Sequence, residues 1–450
     1  MRLPIPLLRG AEHRDLDLYW WGQTTSAFGS VFTAIALPVA AVLRFHASPG
    51  EVGLLSAASV LPSLLFALPA GELADRIARP RRTLILLDTV SALVVASVAL
   101  GMAAHVAALG WLIALCAAQG CVSILIGVIY FIHLRQLAGP GQVGPARARL
   151  QAGAYGAGFV ARLLAGPVIV AFGVAAAMCV DAASYLLSAA ALLSMRHVAP
   201  LEVERGKSLL ATVRGLGAGV RMFVSSPFHR ALLGFILIPA TAGAGISALT
   251  APFLLDVVHI PTSVYGLAFV LSGVMGLIGS SVAVKVLSQQ RDPRRVTILC
   301  FSATLACQLL LPLAGGPTAL ALACAALGLG LPIFFGALAN VGLSPIIVND
   351  ADEQTVGRTV AALQVFSAGA ALLGALLGGG LGDWLGPRAA LWTIAGGGEV
   401  WVLLMLLPAL RAARREAHGE QAAALSVEHI EEQAVPEPGP RPAQEPAHAE

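Results

Sequence analysis

Charge is what this chain has little of: 28 Lys and Arg and 25 Asp and Glu make up only 12% of its 450 residues. Soluble domains carry about 25% charged residues. A soluble fold of this length could not cover its surface with so few, so the composition excludes an ordinary cytosolic protein. Apolar residues reach 57%, which excludes disorder over most of the chain because disordered segments are poor in apolar residues. The net charge of +3 is too small to indicate nucleic-acid binding. A membrane protein remains.

Residue sets that carry chemistry are lacking as well. The six cysteines form no C-x-x-C pair, and none lies beside a histidine at a metal-ligand spacing, so neither a disulfide framework nor a zinc site is indicated. The sequence contains no P-loop, no H-E-x-x-H motif and no recognisable Ser, His and Asp set. We therefore predict that the protein is not an enzyme and that it holds no cofactor or metal.

Long apolar runs are what the sequence has instead. A transmembrane helix needs about 20 mostly apolar residues to cross roughly 30 Å of hydrocarbon. The runs in this chain are too long and too evenly apolar for the strands of a membrane barrel. We predict an all-α membrane protein with twelve transmembrane helices, at 18–43, 52–74, 84–104, 107–131, 152–172, 174–195, 231–255, 264–287, 297–314, 318–343, 359–382 and 388–410.

Basic residues test this count, because loops that face the cytoplasm carry an excess of Lys and Arg. With both termini assigned to the cytoplasm, all but three of the 28 basic residues fall in cytoplasmic segments. The exceptions are Arg44 and Arg388 in outer loops and Arg162 within a span. The sequence thus predicts a multi-pass protein of the cell membrane with both termini cytoplasmic.

The chain also repeats itself at an offset of 213 residues. The offset joins the second span to the eighth and the fifth to the eleventh, so the repeating unit is six helices in one orientation. We expect an N-terminal half over 1–196 and a C-terminal half over 231–411, with a cavity between them that either side could open. The matches that carry the offset are Gly53-Leu54 on Gly266-Leu267, Pro80-Arg81-Arg82 on Pro293-Arg294-Arg295, and Gly173 on Gly386.

Two segments lie outside the halves. In the linker, 197–230, the apolar residues of 208–224 share one helical face, which fits either an amphipathic helix on the cytoplasmic membrane surface or a simple connecting helix. The tail, 412–450, is rich in proline and holds eight Glu after Arg415. We predict that this acidic tail is disordered because it cannot bury a core.

The loop after the second span reads GELADRIARPRRT, residues 71–83. It resembles the signature of the major facilitator superfamily, G-x-L-A-D-R-x-G-R-R before an apolar helix, and departs from it at Ala78 and Pro80. The resemblance implies a latch that joins the N-terminal half to the eleventh span in the outward-open state. Its residues would be Gly71, Asp75, Arg76 and Arg79, with Arg358 as the partner on the eleventh span.

The fifth and sixth spans carry a narrower resemblance. The segment ARLLAGPVIVAFG is similar to the Gly-Pro motif of antiporter-type exporters through Gly158, Gly166 and Pro167. The segment CVDAASYLLSAAALLSMR resembles the exporter branch that includes siderophore (enterobactin-type) and macrolide efflux proteins. Close packing or a kink is the alternative role for glycine and proline in a span.

This second resemblance implies secondary-active export of a small amphipathic organic molecule, such as a drug, a siderophore or a secondary metabolite. Proton antiport by alternating access would drive the export. An importer or a lysophospholipid flippase on the same fold is the alternative.

Ionisable residues at membrane depth are costly and are functional candidates for that reason. Asp88, near the cytoplasmic end of the third span, is either such a candidate or the partner of the nearby basic cluster. Arg162 and Asp181 lie at depths within roughly 5 Å of each other, and form either a proton-responsive pair beside the cavity or a structural pair. Glu399 either takes up a proton or faces a polar neighbour.

The substrate should bind near the midplane between the halves. The candidates for lining the cavity are Phe28, Phe32, Tyr130, Tyr155 and Phe335. The partners that we predict are a small-molecule substrate, protons and the lipid bilayer, with no nucleic acid, and the protein is expected to be a monomer.

Overall fold

The structure is a computed structural model that describes residues 11–75, 77–138, 142–195, 221–288, 293–350 and 356–433. Helices account for nearly all of these residues. In the first half, α1 to α4 are followed by one helical run that divides at Gly173, whose φ of 84° is not helical. The bounds are α1 Ala11–Leu43, α2 Pro49–Asp75, α3 Pro80–Ala103, α4 Leu109–Ala138 and the run Val143–Leu193, which we label α5 over 143–172 and α6 over 174–193.

The second half repeats this order. Its first helix ends in a π-helical turn, and its second is built from an α-turn, a 3₁₀ turn and a longer helix, which we label together α8 over 262–288. The bounds are α7 Pro227–Pro252 with the turn Phe253–Val257, α8 from Thr262–Tyr265, Gly266–Phe269 and Val270–Ser288, α9 Pro293–Gln308, α10 Thr318–Asp350, α11 Val356–Leu385 and α12 Pro387–Gln433.

Proline marks where several of these helices begin. Its fixed φ suits the first helical position, where the missing N–H would have had no partner inside the helix. At α7 the preceding Ser226 adds a cap, since its Oγ accepts a hydrogen bond from the backbone N–H of His229 at 3.1 Å. Helices that begin at a proline are α2 at Pro49, α3 at Pro80, α7 at Pro227, α9 at Pro293 and α12 at Pro387.

Ten helices in the described parts of the chain are long and apolar enough to cross a membrane. One of these is the run Val143–Leu193, which makes two crossings because it turns back at Gly173. The remaining crossing is α9, whose 16 residues are extended by hydrogen-bonded turns at 309–313. The fold is therefore the predicted all-α membrane fold with twelve transmembrane helices.

Backbone conformation confirms the repeat between the two halves. Gly173 and Gly386, which the 213-residue offset superimposes, close equivalent turns with φ values of 84° and 83°. His46 and His259 stand at the same offset and share a positive φ, at 49° and 59°. Left-handed residues are uncommon outside glycine, so their recurrence at equivalent positions shows that the halves have the same local geometry.

The bundle has two faces, which we name by their loops. The basic face holds the end of α2 and the beginning of α3, with Arg79 and Arg82; the opposite face holds the turns at Gly173 and Gly386. Apolar packing differs between the faces. Toward the opposite face a single buried cluster takes residues from both halves, among them Val39, Leu112 and Phe253.

Toward the basic face each half has a buried cluster of its own. The N-terminal one includes Tyr19 and Leu134, and the C-terminal one includes Phe228 and Leu343. Among the described residues, buried apolar packing thus joins the two halves toward the opposite face, and toward the basic face each half packs in a cluster of its own.

The structure changes the predictions for the linker and the tail. Of the predicted linker helix, residues 208–220 lie outside the described part, and 221–225 are helical. The helix α12 continues to Gln433, so residues 412–433 are helical where the sequence predicts disorder. This stretch is rich in Ala and Glu, which favour helix, and the prolines of the tail begin at Pro436. Residues 434–450 lie outside the described part.

Candidate substrate cavity and the seams between the halves

A cavity of about 580 Å³ opens among α1, α4 and α5. Its wall mixes aromatic, amide, hydroxyl and guanidinium groups, and it lies toward the basic face, where the described residues of each half form a buried cluster of their own. The lining residues are Gln23, Ser26, Ala27 and Ser30 of α1, Gly127, Tyr130, Phe131 and Leu134 of α4, and Arg147, Leu150, Gln151 and Ala154 of α5.

Hydrogen bonds connect this cavity to a buried polar site on α6. The Ser30 hydroxyl lies 3.1 Å from the Tyr185 hydroxyl, which also accepts from the Gln119 amide at 3.3 Å. Asp181 lies one helical turn before Tyr185 and is 1% exposed. The Ser184 hydroxyl donates to the Asp181 carbonyl oxygen at 2.7 Å and lies 3.4 Å from its carboxylate. The Ser30 hydroxyl, which lines the cavity, is also within reach of the Asp181 carboxylate, so this buried group lies beside hydroxyls that can carry a proton.

Gly29 of α1 explains how the carboxylate is buried. A Cβ placed on Gly29 would collide with the Ser184 hydroxyl and would lie 2.9 Å from the Asp181 Cα. The absence of a side chain therefore lets α1 and α6 approach each other at the depth of Asp181. Any larger residue at position 29 would separate the helices and open the site.

The other two acidic candidates are not in the lining of the cavity, although Asp88 is close enough to Tyr19 and Tyr185 to interact with both electrostatically. Asp88 of α3 is 2% exposed, and its Oδ2 is buried without a hydrogen bond from any described residue. It forms no ion pair with the basic residues that the structure describes, and Arg81 instead donates to the carbonyl oxygens of Leu192 and Leu193 at 2.7 and 2.8 Å. Glu399 lies in α12 near Cys307 of α9, with its Oε2 buried and without a hydrogen bond in the described chain.

Arg162 and Asp181 do not pair. Asp181 faces α1, whereas the guanidinium of Arg162 points to the seam between the halves. A Cβ placed on either Gly158 of α5 or Gly273 of α8 would lie 3.1 Å from Nη1 of Arg162. Arg162 makes no hydrogen bond or ion pair with any described residue.

Two seams join the halves, α2 with α11 and α5 with α8, and they follow the internal repeat. A Cβ placed on Gly53 would lie 2.8 Å from the Ala375 carbonyl oxygen and 2.8 Å from the Gly379 Cα. A Cβ on Gly266, the repeat partner of Gly53, would collide with the carbonyl oxygen of Arg162. Both seams therefore depend on glycine for backbone-to-backbone contact.

A polar contact reinforces the first seam on the opposite face. The carboxylate of Asp383, near the end of α11, accepts a hydrogen bond from the backbone N–H of Gly50 at 2.9 Å and lies 3.3 Å from the Ser48 hydroxyl. Gly50 lies in the first turn of α2, where backbone N–H groups have no partner in the helix and the dipole attracts negative charge. This contact adds a polar link to the glycine-mediated packing of α2 against α11.

Of the predicted latch, Gly71 and Asp75 lie in the last turn of α2, but their side chains are outside the described part, as is Arg76. Arg79 precedes the first helical residue of α3, and Arg358 is exposed near the start of α11. The structure describes no contact between these groups.

Only part of the five aromatic candidates lines the cavity. Tyr130 lines the cavity. Phe32 is instead 2% exposed in the shared core, with Phe28 packed against it at 5.1 Å between ring centroids. Tyr155 is half-buried outside the cavity lining, and Phe335 packs edge-on against Phe334 at 5.2 Å. An aromatic residue in a span does not reveal from sequence whether it faces the core or the cavity.

A second charged cluster lies at the basic face of the C-terminal half. Asp350, beyond the span that ends at Ile347, accepts from Arg294 Nη2 at 2.8 Å and lies 3.0 Å from Nε2 of His229. Burial alone raises the pKa of Asp350, but the hydrogen bond with His229 and the charge of Arg294 outweigh burial, so the net pKa lies below its ordinary value. The cluster joins α7, α9 and α10.

Sequence reasoning did not single out several residues that build these sites. Ser30, Gln119, Gln23 and Gln151 are uncharged polar residues within helices, and Asp383 lies in the last turn of α11; none of them carries a periodic signal. Tyr185 stands in the quoted sixth-span segment, and Asp383 stands in LGDWLGPR, residues 381–388.

Residues 19–344 match the Major Facilitator Superfamily. Since the match covers more than half of the chain, the protein belongs to this family of membrane transporters, in agreement with the twelve helices and the paired halves. No curated protein matches the sequence significantly.

Solved transporter structures share the fold. The crystal structure of the nucleoside transporter NupG matches with a TM-score of 0.69 and 12% identity, over 89% of this chain and 99% of that one. A POT family transporter in complex with 5-aminolevulinic acid matches with a TM-score of 0.66 and 13% identity, over 89% and 96%. At these identities the likeness shows the fold alone and does not identify the substrate of this protein.

Proposed function

We propose that this protein exports small amphipathic organic molecules across the cell membrane by alternating access, in exchange for protons, with its basic face in the cytoplasm. One observation carries the proposal: among the described residues, a buried apolar cluster joins the halves toward the opposite face, whereas toward the basic face each half packs in a cluster of its own and a cavity lies among α1, α4 and α5. Alternating access requires a state whose binding site is reachable from one side only.

The cavity wall supports an amphipathic substrate. Tyr130 and Phe131 offer aromatic surface, and the amides of Gln23 and Gln151 with the hydroxyls of Ser26 and Ser30 offer hydrogen bonds. Mixed apolar walls with a few placed polar groups are typical of small-molecule sites.

Proton coupling is assigned chiefly to Asp181. A carboxylate buried at membrane depth is costly to keep charged, so its protonation can follow the side to which the cavity opens. The chain from Ser30 through Tyr185 gives a route for the proton. Glu399 and Asp88 are the remaining carboxylate candidates. Export rather than import rests on the resemblance of the Gly158, Gly166 and Pro167 segment to antiporter-type exporters.

The latch completes the cycle. We propose that in the other state the halves, 1–196 and 231–411, meet at the basic face through Asp75 and Arg358, while the Asp383 contact on the opposite face opens. The protein would work as a monomer because each chain carries both halves and both seams.

Transport by the purified full-length protein in proteoliposomes tests the proposal. Growth inhibition of deletion and overexpression strains first selects the compounds. An acidic lumen should then drive uptake of a selected compound by protein oriented with its basic face outward, and a protonophore should stop it. Accumulation in the reverse direction under the same gradient would indicate an importer, and movement of labelled lysophospholipid alone would indicate a flippase.

A further inference from the structure

We propose that Arg162 binds an anionic oxygen group of the transported molecule, so that the substrates are amphipathic anions such as aromatic carboxylates. This inference deepens the proposed function and rests on it.

Arg162 lies two helical turns beyond the cavity wall, on the same face of α5. Arg147, Gln151 and Ala154 of α5 line the cavity, and steps of four residues continue the same face of the helix through Gly158 to Arg162. The guanidinium lies at the seam between the halves, next to Gly158 of α5 and Gly273 of α8, and Gly158 is one turn beyond Ala154 of the cavity wall. It lies roughly 16 Å from the turn at Gly173, near the middle of a 30 Å membrane.

Packing between the halves does not require an arginine here. The repeat partner of Arg162 is Ala375, which is 1% exposed at the other seam, between α2 and α11. The repeat partner of Gly273 is Val60. The same backbone contact is thus made once with Ala and Val and once with Arg and Gly. The small residue opposite Arg162 provides space for its guanidinium.

No protein anion neutralises this charge in the described part of the chain. Asp181 is engaged with Ser184 and faces α1, and Glu399 lies with α9 and α12 in the C-terminal half. A guanidinium cannot lose its proton under physiological conditions, and a lone charge at membrane depth is costly. An anion that enters the cavity would meet five N–H donors with the geometry that carboxylates fit.

Binding of matched probes to the purified full-length protein in lipid nanodiscs tests the inference. The probes are a size series of radiolabelled aromatic carboxylates, from benzoate to naphthalene and anthracene carboxylates, each paired with its carboxamide. The carboxamide keeps the ring and nearly the same volume but lacks the charge. Wild-type protein should prefer carboxylates, and Arg162→Ala, which copies Ala375, should weaken carboxylate binding at least about tenfold while leaving carboxamide binding within about twofold.

Two further variants sharpen the result. Arg162→Lys keeps the charge and should retain part of the preference. Arg230→Ala removes the same charge from an exposed position at the start of α7 and should leave the preference unchanged, which excludes a general effect of net charge.

Each other outcome counts against the inference or against its premise. Equal loss of both probe types in Arg162→Ala would assign the arginine to packing or coupling and overturn the inference. Binding of carboxamides or cationic dyes without carboxylates would overturn it while leaving export intact. Failure to bind any probe, together with no export in the strain panel, would argue against the proposed function itself.

Discussion

At the scale of single residues, burial separates Asp181 from the other acidic candidates. It is 1% exposed yet lies within reach of the hydroxyl of Ser30, which lines the cavity, whereas Asp88 interacts with Tyr185 through its charge and Glu399 lies near Cys307 of α9. A carboxylate that exchanges protons must be shielded in one state and reachable in the other, and Asp181 combines both conditions most directly.

We expect Asp181→Asn to abolish transport driven by a proton gradient, because the amide is nearly isosteric but cannot take up a proton. Glu399→Gln should do so if Glu399 shares the coupling. Expression and membrane insertion should stay normal, and counterflow of substrate without a gradient should persist in Asp181→Asn. The measurement is uptake into proteoliposomes with and without an imposed pH difference. Normal gradient-driven transport by both variants would exclude these carboxylates from coupling.

The cluster of Asp350, Arg294 and His229 makes a stability prediction. Asp350→Asn removes the carboxylate that the buried Arg294 and His229 contact, which should lower the free energy of unfolding by about 3 kcal/mol near pH 7. The folded-state pKa of Asp350 lies below its unfolded value of about 3.9. The stabilisation is therefore full above about pH 4 and is lost as the pH falls through the folded-state value.

Melting temperatures of the detergent-solubilised protein at pH 7 and at pH values down to about 3.5 check this prediction. The gap between wild type and Asp350→Asn should narrow as the solution becomes more acidic. Asp17→Asn is the matched control, because Asp17 pairs with Arg149 at 2.7 Å but both side chains are exposed by more than a third. It should cost less than about 1 kcal/mol. A gap that stays constant with pH would contradict the role of the Asp350 charge.

At the scale of helices, the number and pairing of the spans could be predicted from sequence because they depend on local properties and on the internal repeat. Apolar length gives the spans, and Pro80 and Pro293 mark equivalent helix starts. What sequence could not give is which side of each helix faces the cavity. Phe32 and Tyr130 are both aromatic residues within spans, yet one packs in the core and the other lines the cavity. That choice depends on helix rotation, which only packing decides.

The same limit applies to the charged groups. The sequence placed Arg162 and Asp181 at similar depths in the membrane, but their side chains point in different directions around their helices. Asp181 faces α1 because Gly29 admits it there, and Arg162 faces α8 because Gly273 admits it there. The glycines that set these directions are easily identified in the sequence, but their contacts are long-range and carry no periodic signal.

Close contact of α2 and α11 leads to a prediction for the seam. Gly53→Leu should force these helices apart, because even a Cβ would lie 2.8 Å from backbone atoms that cannot rotate away. The opposite face should then open.

Electron–electron distance measurements between spin labels at Val106 and Trp384, both exposed at that face, should show a longer distance in a background whose native cysteines are replaced. Gly110→Leu is the control, since no atom lies within 4 Å of a Cβ there, and it should leave the distance unchanged. An unaltered distance in Gly53→Leu would show that this seam does not hold the face closed.

At the scale of the whole molecule, the distribution of basic residues predicts orientation. The two arginines on the opposite face are held by carbonyl groups: Arg44 donates to the Met102 carbonyl at 2.7 Å, and Arg388 donates to that of Ala314 at 2.9 Å. Their presence there has a structural reason, so they do not weaken the rule that loops rich in Lys and Arg face the cytoplasm.

We therefore expect single cysteines at Val106 and Trp384 to react with a membrane-impermeant maleimide in intact cells. Cysteines at Ala78 and Arg82 should react only after the membrane is permeabilised. Labelling is read from the mass shift of the purified protein. Reaction of the basic-face pair in intact cells would invert the orientation and, with it, the assignment of export.

Rocking of two halves around one site predicts that the two faces are coupled over the full thickness of the bundle. If packing on the opposite face holds the basic face open, then Gly53→Leu, which disrupts that packing, should close the basic face. A cysteine at Gln151, in the cavity wall, should become less reactive toward a maleimide applied from the basic face in inside-out vesicles. Gly110→Leu should leave its reactivity unchanged.

Two independent gates would respond differently: Gly53→Leu would open the opposite face while Gln151→Cys stayed fully reactive, and the protein would then leak substrate in both directions. The cysteine reactivity therefore distinguishes a single rocking motion from separate gates.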